Sequence, residues 1–357
     1  MKVVFIISSV TDSHIIKRVD SFVEAGHDVE VYGFARGVNT VNRFNKVDLK
    51  VLGQVEDQKY IGRLKSEWRA VNNVITSHPK DTLYYVWGYE FALICYIRNC
   101  RFLYEISDMR YPQMSFPFKQ LLGWLDKKII NKSVGTLITS EGFIQYMGMS
   151  SSDRKFILMP NKLAEVMLSE KRPDAIKIKD KIRFGFVGYY RYPDTVIRLA
   201  RVIAECYPNM EFHFWGTGPE QILSIVKKLV ANHENIIEHG TFKNPDDLNR
   251  IYDTIDIVAC NYDSMGANER IAEPNKLYES IFYNRPILVS TNTFLGKKVE
   301  RMGVGYVLES HSDDNIKQFL NTLNVSDIEK KSVIERNIPT KDLVEDYSQV
   351  WERMNNL

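Results

Sequence analysis

The sequence predicts two α/β domains in series, each a doubly wound parallel sheet, facing each other across a cleft. Two observations carry this. Short, nearly continuous apolar runs alternate with stretches of helical period, the pattern of parallel strands covered by helices on both faces. The alternation then begins again after a charged stretch in mid-chain, and 357 residues suit two domains of roughly 150 residues each.

In the first half the apolar runs are 3–9, 28–34, 82–87, 101–106, 136–140 and 155–159. Between the first two, Ile15, Val19, Phe22 and Val23 recur at helical spacing, and Gly26 supplies the helix stop. The second half repeats the plan with runs at 182–187, 210–215, 235–238, 255–260, 286–290 and 305–308. Helices are expected between them, at 195–204 and 219–231 among others. The polar, Pro-containing stretch 165–181 reads as the linker. The expected domains are therefore 1–168 and 169–340, followed by a C-terminal helix in 341–357.

Composition removes several function classes. Basic and acidic residues nearly cancel, 47 against 45, so the concentrated basic surface of a nucleic-acid binder is not expected. Cys95, Cys100, Cys206 and Cys260 form no Cys-x-x-Cys pair and have no His spaced to complete a zinc site, so they read as reduced thiols. The apolar run at the N-terminus is too short for a signal-peptide core, and no run approaches the ~20 residues of a membrane span. A cytoplasmic protein, held to a membrane at most by its surface, is expected.

Ligands of open α/β sheets bind outside the carboxyl ends of the strands, so the loops after each run are where chemistry is sought. The most specific is Glu273-Pro274-Asn275-Lys276-Leu277-Tyr278-Glu279-Ser280. Pro274 suits a first helical turn, leaving the amides of Asn275, Lys276 and Leu277 to face an anionic phosphate. Lys276 adds charge. Glu279, one turn on, can accept hydrogen bonds from both ribose hydroxyls, or be a solvated face.

The stretch Pro-Asn-Lys-Leu-Tyr-Glu-Ser-Ile-Phe-Tyr-Asn-Arg-Pro-Ile-Leu-Val-Ser, residues 274–290, resembles the donor motif of glycosyltransferase family 4. That resemblance implies a GT-B fold of two Rossmann-like domains and places Glu279 on the donor ribose. The family often carries a second Glu eight residues earlier. Ile271 stands there, with Glu269 and Glu273 beside it, and Asn284-Arg285 replaces the usual Gly before the Pro.

Other segments resemble the same family. Phe184-Gly185-Phe186-Val187-Gly188-Tyr189-Tyr190-Arg191 resembles the first strand of the donor domain. There Gly188 admits the donor to the backbone, Tyr190 lies alongside, and Arg191 meets the diphosphate or is a surface loop residue. The Lys often found a few residues later is absent. Phe214-Trp215-Gly216-Thr217-Gly218-Pro219 resembles a strand followed by Gly-x-Gly-Pro, Gly216 serving a tight turn or the donor. Phe242 can stack on a base or fill the core. Glu105-Ile106-Ser107-Asp108 resembles a Glu-x-x-Asp segment of bacterial surface-polysaccharide transferases, with Asp108 as general base or positioning group.

On the acceptor side, the loop Val10-Thr11-Asp12-Ser13-His14 carries Ser13 and His14, with Arg18 a turn later. They can touch substrate or cap a helix. Trp87 offers a ring for a sugar face or for the core. No Gly-x-Gly-x-x-Gly is present in that loop, which weighs against a dehydrogenase. Phe118, Leu121, Leu122, Leu125 and Ile129 recur at helical spacing among Lys119, Lys127, Lys128 and Lys132. That is either a basic amphipathic helix on an anionic membrane or a helix packed on its own sheet.

The resemblance implies transfer of a sugar from a UDP- or GDP-linked donor to a hydroxyl of a glycan or lipid-linked acceptor, with retention at the anomeric carbon. Arg191, Lys276 and the helix start stabilise the leaving diphosphate, and no metal or cofactor is required. A nucleotide-sugar epimerase and a non-catalytic partner protein of the same fold are the alternatives.

Overall fold

The computed structural model describes the whole chain except residues 37–43, 45, 56–59 and 110. It comprises two compact units. Residues 1–160 and 346–357 form the first, and residues 161–345 the second.

The first unit holds a seven-stranded parallel sheet. Its strands are β1 Lys2–Ile7, β2 Asp28–Arg36, β3 Leu49–Val55, β4 Leu83–Trp87, β5 Arg101–Ile106, β6 Gly135–Ile138 and β7 Phe156–Leu158. Their spatial order is β3-β2-β1-β4-β5-β6-β7. The chain winds outward from β1, then returns to lay β4 on its other side, so the switch point lies between β1 and β4. The interior of β1, Val3 to Ile7, is wholly buried, which is why it reads as an unbroken apolar run. Strand β3 was not expected. It lies at the sheet edge, exposes Val51 and carries Lys50, Gly53 and Gln54, so it lacks the apolar signature of its neighbours.

The second unit repeats the winding with β8 Ile182–Tyr189, β9 Met210–Thr217, β10 Ile236–Gly240, β11 Ile257–Cys260, β12 Ile287–Ser290 and β13 Gly305–Leu308. The order β10-β9-β8-β11-β12-β13 puts its switch point between β8 and β11.

Two expectations about the borders change. The first crossing lies between residues 160 and 161, ahead of the charged stretch expected as a linker. That stretch is anchored in the second unit through Arg172, whose buried guanidinium donates to the carbonyls of Phe282, Ile281, Glu335 and Ile338 and to Asn284 Oδ1. Helix ends leave carbonyls unpaired, and Arg172 satisfies two such ends at once. The C-terminal helix spans Ser348–Asn355 and belongs to the first unit, where Val350 and Met354 pack with Val3, Phe5 and Ile7. The expected helix at 195–204 begins with a wide π turn, Pro193–Ile197, before the regular Arg198–Cys206.

Candidate donor site

The helix Lys276–Tyr283 follows β11 and its loop, beside the switch point of the second sheet. Asn275 is its N-cap. The amides of Asn275 and Lys276 precede the helical ladder, so they have no intrahelical acceptor. The amide of Leu277 does not join them. It donates to the Pro274 carbonyl at 3.3 Å, and its side chain is buried, so Leu277 is withdrawn as a phosphate contact. At the far end Asn284 takes the left-handed position, φ 55°, that glycine usually fills, and Arg285 folds under the helix to the Tyr252 and Tyr283 carbonyls. This accounts for the Asn-Arg in place of glycine.

Glu279 is buried, and three donors meet its carboxylate. Asn275 Nδ2 reaches Oε1 at 2.6 Å, while Tyr252 Oη at 2.7 Å and Lys276 Nζ at 2.5 Å share Oε2. Burial, then the charge of Glu279, push the Tyr252 hydroxyl far above its ordinary range, so it remains a donor at neutral pH. Lys276 is buried on Glu279 and does not point outward from the helix start.

The acidic neighbours separate clearly. Glu273 is consumed by Tyr278 Oη and by Lys298 Nζ at 2.7 Å. Glu269, on the turn Ala267–Ile271, keeps a buried Oε2 with no hydrogen-bond partner. Gly266 makes room for it, since a Cβ there would lie 2.0 Å from that oxygen. Glu269 stands near Tyr192 and Arg191: burial, then Glu269, push the Tyr192 hydroxyl up to about 12, against the pull of Arg191. Tyr192 holds an unusual left-handed backbone, φ 62°, and stacks on Tyr262 at 4.7 Å. The missing Glu of the motif thus has a neighbour two residues away with a free oxygen, a distinction that spacing alone does not reveal.

Arg191 is exposed, its guanidinium 5.2 Å from the Tyr189 ring centroid. Gly188 has φ 145°, and a side chain there would meet nothing within 4 Å, so the backbone at that point is open. Gly216 is different: a Cβ would lie 1.8 Å from the Gly188 carbonyl oxygen, so this glycine lets β8 and β9 approach. Tyr190 lies in the core against Phe186 and Phe214, which removes its ring from ligand contact. Phe242 packs, partly buried, on the cluster that includes Trp215.

In the first unit, Asp12 caps the helix Ser13–Glu24 by accepting from the His14 amide at 3.0 Å. The Ser13 side chain lies outside the described residues, as does Arg110. His14 Nε2 meets Glu105 Oε1 at 2.5 Å, and Arg18 Nε and Tyr85 Oη bind the same carboxylate. Burial would push Glu105 up. The charges of His14 and Arg18 with the hydrogen bonds of His14 and Tyr85 outweigh it and hold the carboxyl down at about 2. His14 Nδ1 is buried without a partner. Arg18 is fully buried, also donating to the Met159 carbonyl at 3.0 Å, so its guanidinium is held inside the first unit. Trp87 donates to Ser107 Oγ and lies 6.3 Å, centroid to centroid, from His14. Asp108 is exposed, beyond the end of β5. Glu105 was not singled out from the sequence. Its signal was a lone acid inside the apolar run Phe102-Leu103-Tyr104-Glu105-Ile106, a residue type that is buried only when partnered.

Among the described residues, no group of three or more His, Cys, Asp or Glu gathers as a metal site, and no helix is long and apolar enough to cross a membrane.

Two Rossmann-like sheets of this winding are the fold of the GT-B glycosyltransferases. The comparisons with solved structures agree: Anabaena HepE in complex with UDP and glucose superposes with a TM-score of 0.71 at 14% identity, covering 100% of both chains. WaaG, a glycosyltransferase involved in lipopolysaccharide biosynthesis, superposes with a TM-score of 0.72 at 14% identity over 98% of each chain. By sequence, the succinoglycan biosynthesis protein ExoL of Rhizobium meliloti (strain 1021) is 21% identical over 344 residues, 90% of this chain and 85% of that protein. No protein-family model matches the chain.

Proposed function

We propose that the protein transfers a hexose-type sugar from a UDP- or GDP-linked donor to a hydroxyl of a glycan or lipid-linked acceptor, at the cytoplasmic face of the cell membrane and with retention at the anomeric carbon. The observation that carries this reading is the buried Glu279 carboxylate with its three donors at the start of a helix beside the switch point. The likeness to HepE, whose structure holds UDP and glucose, supports the donor class. The likeness to ExoL supports polysaccharide assembly. Retention rests on the resemblance of the donor motif.

Donor binding in this reading is an exchange. The ribose hydroxyls replace the Lys276 ammonium on Glu279, and Lys276 is released toward the diphosphate. Exposed Arg191 and the amides of Asn275 and Lys276 meet the same charge, at the open backbone of Gly188. Charge that grows on the leaving diphosphate is then met by groups already in place. Glu269 takes the sugar hydroxyl that the Glu of the family motif would take. On the acceptor side the candidates are His14, gripped through Nε2 by Glu105, the Trp87 ring 6.3 Å from it, and exposed Asp108 beyond the end of β5.

The test is incubation with UDP- and GDP-hexoses, with and without a lipid extract containing polyprenyl-linked glycans. The expected result is sugar transferred to the lipid fraction from one donor, lost in Arg191→Ala and Lys276→Ala. Conversion of donor into an isomer without acceptor would replace this reading with an epimerase, and no turnover of any donor would replace it with a non-catalytic role.

A further inference from the structure

We propose that Cys95 and Cys100 are a modification site, a thiol pair that peroxide converts to a reversible disulfide inside the first unit. This is independent of the transfer reaction and is tested without it.

The way one helix ends makes the pair. The helix Tyr89–Ile97 has Arg98 as its C-cap. Asn99 then takes the left-handed backbone, φ 55°, and the chain turns into β5. The Asn99 amide donates to the Tyr96 carbonyl at 3.2 Å, and the Cys100 amide donates to the Cys95 carbonyl at 3.0 Å. These are the two crossed bonds of a Schellman motif, which folds the residue after the left-handed turn back onto the last helical turn. An apolar contact between those two positions often accompanies the motif. Here both positions are cysteine, five residues apart, so no Cys-x-x-Cys spacing announces them.

Through the 3.0 Å backbone bond the two Cα atoms lie no more than about 7 Å apart, which is the reach of a disulfide. The thiols meet, the Cys95 S–H donating to the Cys100 sulfur. Both are free thiols in the resting chain, and their characters differ. Cys95 is wholly buried, and burial, then the bond to Cys100, push its thiol up. Cys100 is half-buried beside exposed Ile97, Arg98 and Asn99, and the hydrogen bond from Cys95, with the charge of Arg98, draws its thiol down against burial. Cys100 is therefore the thiolate that meets a small oxidant, and Cys95 resolves the product. Cys260 is the contrast: it is buried, and burial pushes its thiol up to about 12.

The oxidant is hydrogen peroxide. The Cys100 thiolate attacks one peroxide oxygen, the O–O bond breaks, and the leaving hydroxide takes a proton to become water, leaving a sulfenic acid on Cys100. The Cys95 sulfur then attacks the Cys100 sulfur. The S–S bond forms, the S–O bond breaks, and the departing hydroxide leaves as a second water with the Cys95 proton. Two thiols lose two electrons and two protons, and one peroxide is reduced to two waters. Capture by Cys95 stops Cys100 from advancing to the irreversible sulfinic acid.

The experiment is treatment of the reduced full chain with one equivalent of hydrogen peroxide, then alkylation with iodoacetamide in urea, then tryptic mass spectrometry. Trypsin cuts after Arg98, so the bridge would join peptide 81–98 to peptide 99–101. The expected result is that linked pair, with two of the four cysteines escaping alkylation and all four recovered after dithiothreitol. Cys206→Ser, at an exposed position, should leave the linked pair unchanged. Cys95→Ala should abolish it and raise, at least about tenfold, the Cys100 sulfenic acid trapped by dimedone. Four alkylated cysteines after peroxide, oxidation confined to Cys206, or equal dimedone trapping in wild type and a folded Cys95→Ala overturns the proposal. The wild-type digest decides it even where Cys95→Ala does not fold.

Discussion

Replacing Glu105 by Gln removes the charge that holds the first unit's switch point together. In the folded chain this carboxyl sits at about 2 against its ordinary 4.5. A gap of about 2.5 units corresponds to roughly 3 kcal/mol favouring the ionised, folded form. The folded value is the depressed one, so this stability is complete above about pH 4.5 and is lost as pH falls toward about 2. Gln also turns an amide N–H₂ toward donors on His14, Arg18 and Tyr85, and it deprives buried Arg18 of its carboxylate. Breaking a buried pair in this way costs about 3–5 kcal/mol. Urea unfolding followed by tryptophan fluorescence reads it, because Trp68, Trp87, Trp124 and Trp351 lie in the first unit and Trp215 in the second. At pH 7, Glu105→Gln should lose about 3–5 kcal/mol in the first-unit transition, and the difference from wild type should shrink below about pH 4. A loss under about 1 kcal/mol at pH 7, or a difference that ignores pH, would refute the reasoning.

Three further outcomes are expected. Burial pushes the Asp126 carboxyl up to about 6 in spite of two tyrosine hydrogen bonds, so the folded chain holds a proton that the unfolded chain has released. Stability therefore falls as pH rises from about 4 to about 6, by roughly 3 kcal/mol, and the stability of Asp126→Asn relative to wild type should rise by that amount across the same window in urea titrations. Gly216→Ala drives a Cβ to 1.8 Å from the Gly188 carbonyl oxygen and should cost about 3 kcal/mol or more, whereas Gly188→Ala meets open space and should cost about 1–2 kcal/mol from its backbone angle alone. Glu269→Gln should lower kcat/KM for the sugar donor by about 10- to 100-fold and leave nucleoside diphosphate affinity within about twofold, by steady-state kinetics beside titration calorimetry.

The doubly wound plan was legible because its strands are buried on both faces. Twelve apolar runs can be read directly from the sequence, and each overlaps a strand. The strand it hid, Leu49–Val55, is the edge strand, where half the side chains face water. The unit border was misplaced because charge and proline at 165–181 look like linker until Arg172 is seen holding two helix ends. In the candidate site, the placement of Gly188, Arg191, Asn275 and Glu279 along one sheet edge follows from sequence order, since every loop after a strand opens on the same edge. The partners do not. Lys276 turning back onto Glu279, Tyr190 entering the core and Leu277 closing its own turn are decided by side-chain direction within one helical turn. Glu105 was passed over for Asp108 because a buried acid is recognised by its donors, which come from residues 14, 18 and 85.

The most direct measurement of the donor site is thermal unfolding with UDP, GDP, ADP, CMP and NAD in turn, on the wild type and on Glu279→Ala. One nucleoside diphosphate, at ~100-fold above its dissociation constant, should add about 2.7 kcal/mol of stability to the wild type and nothing to the variant. Stabilisation by none of them, an equal response in Glu279→Ala, or a response to NAD alone would contradict a nucleotide-sugar site built on Glu279.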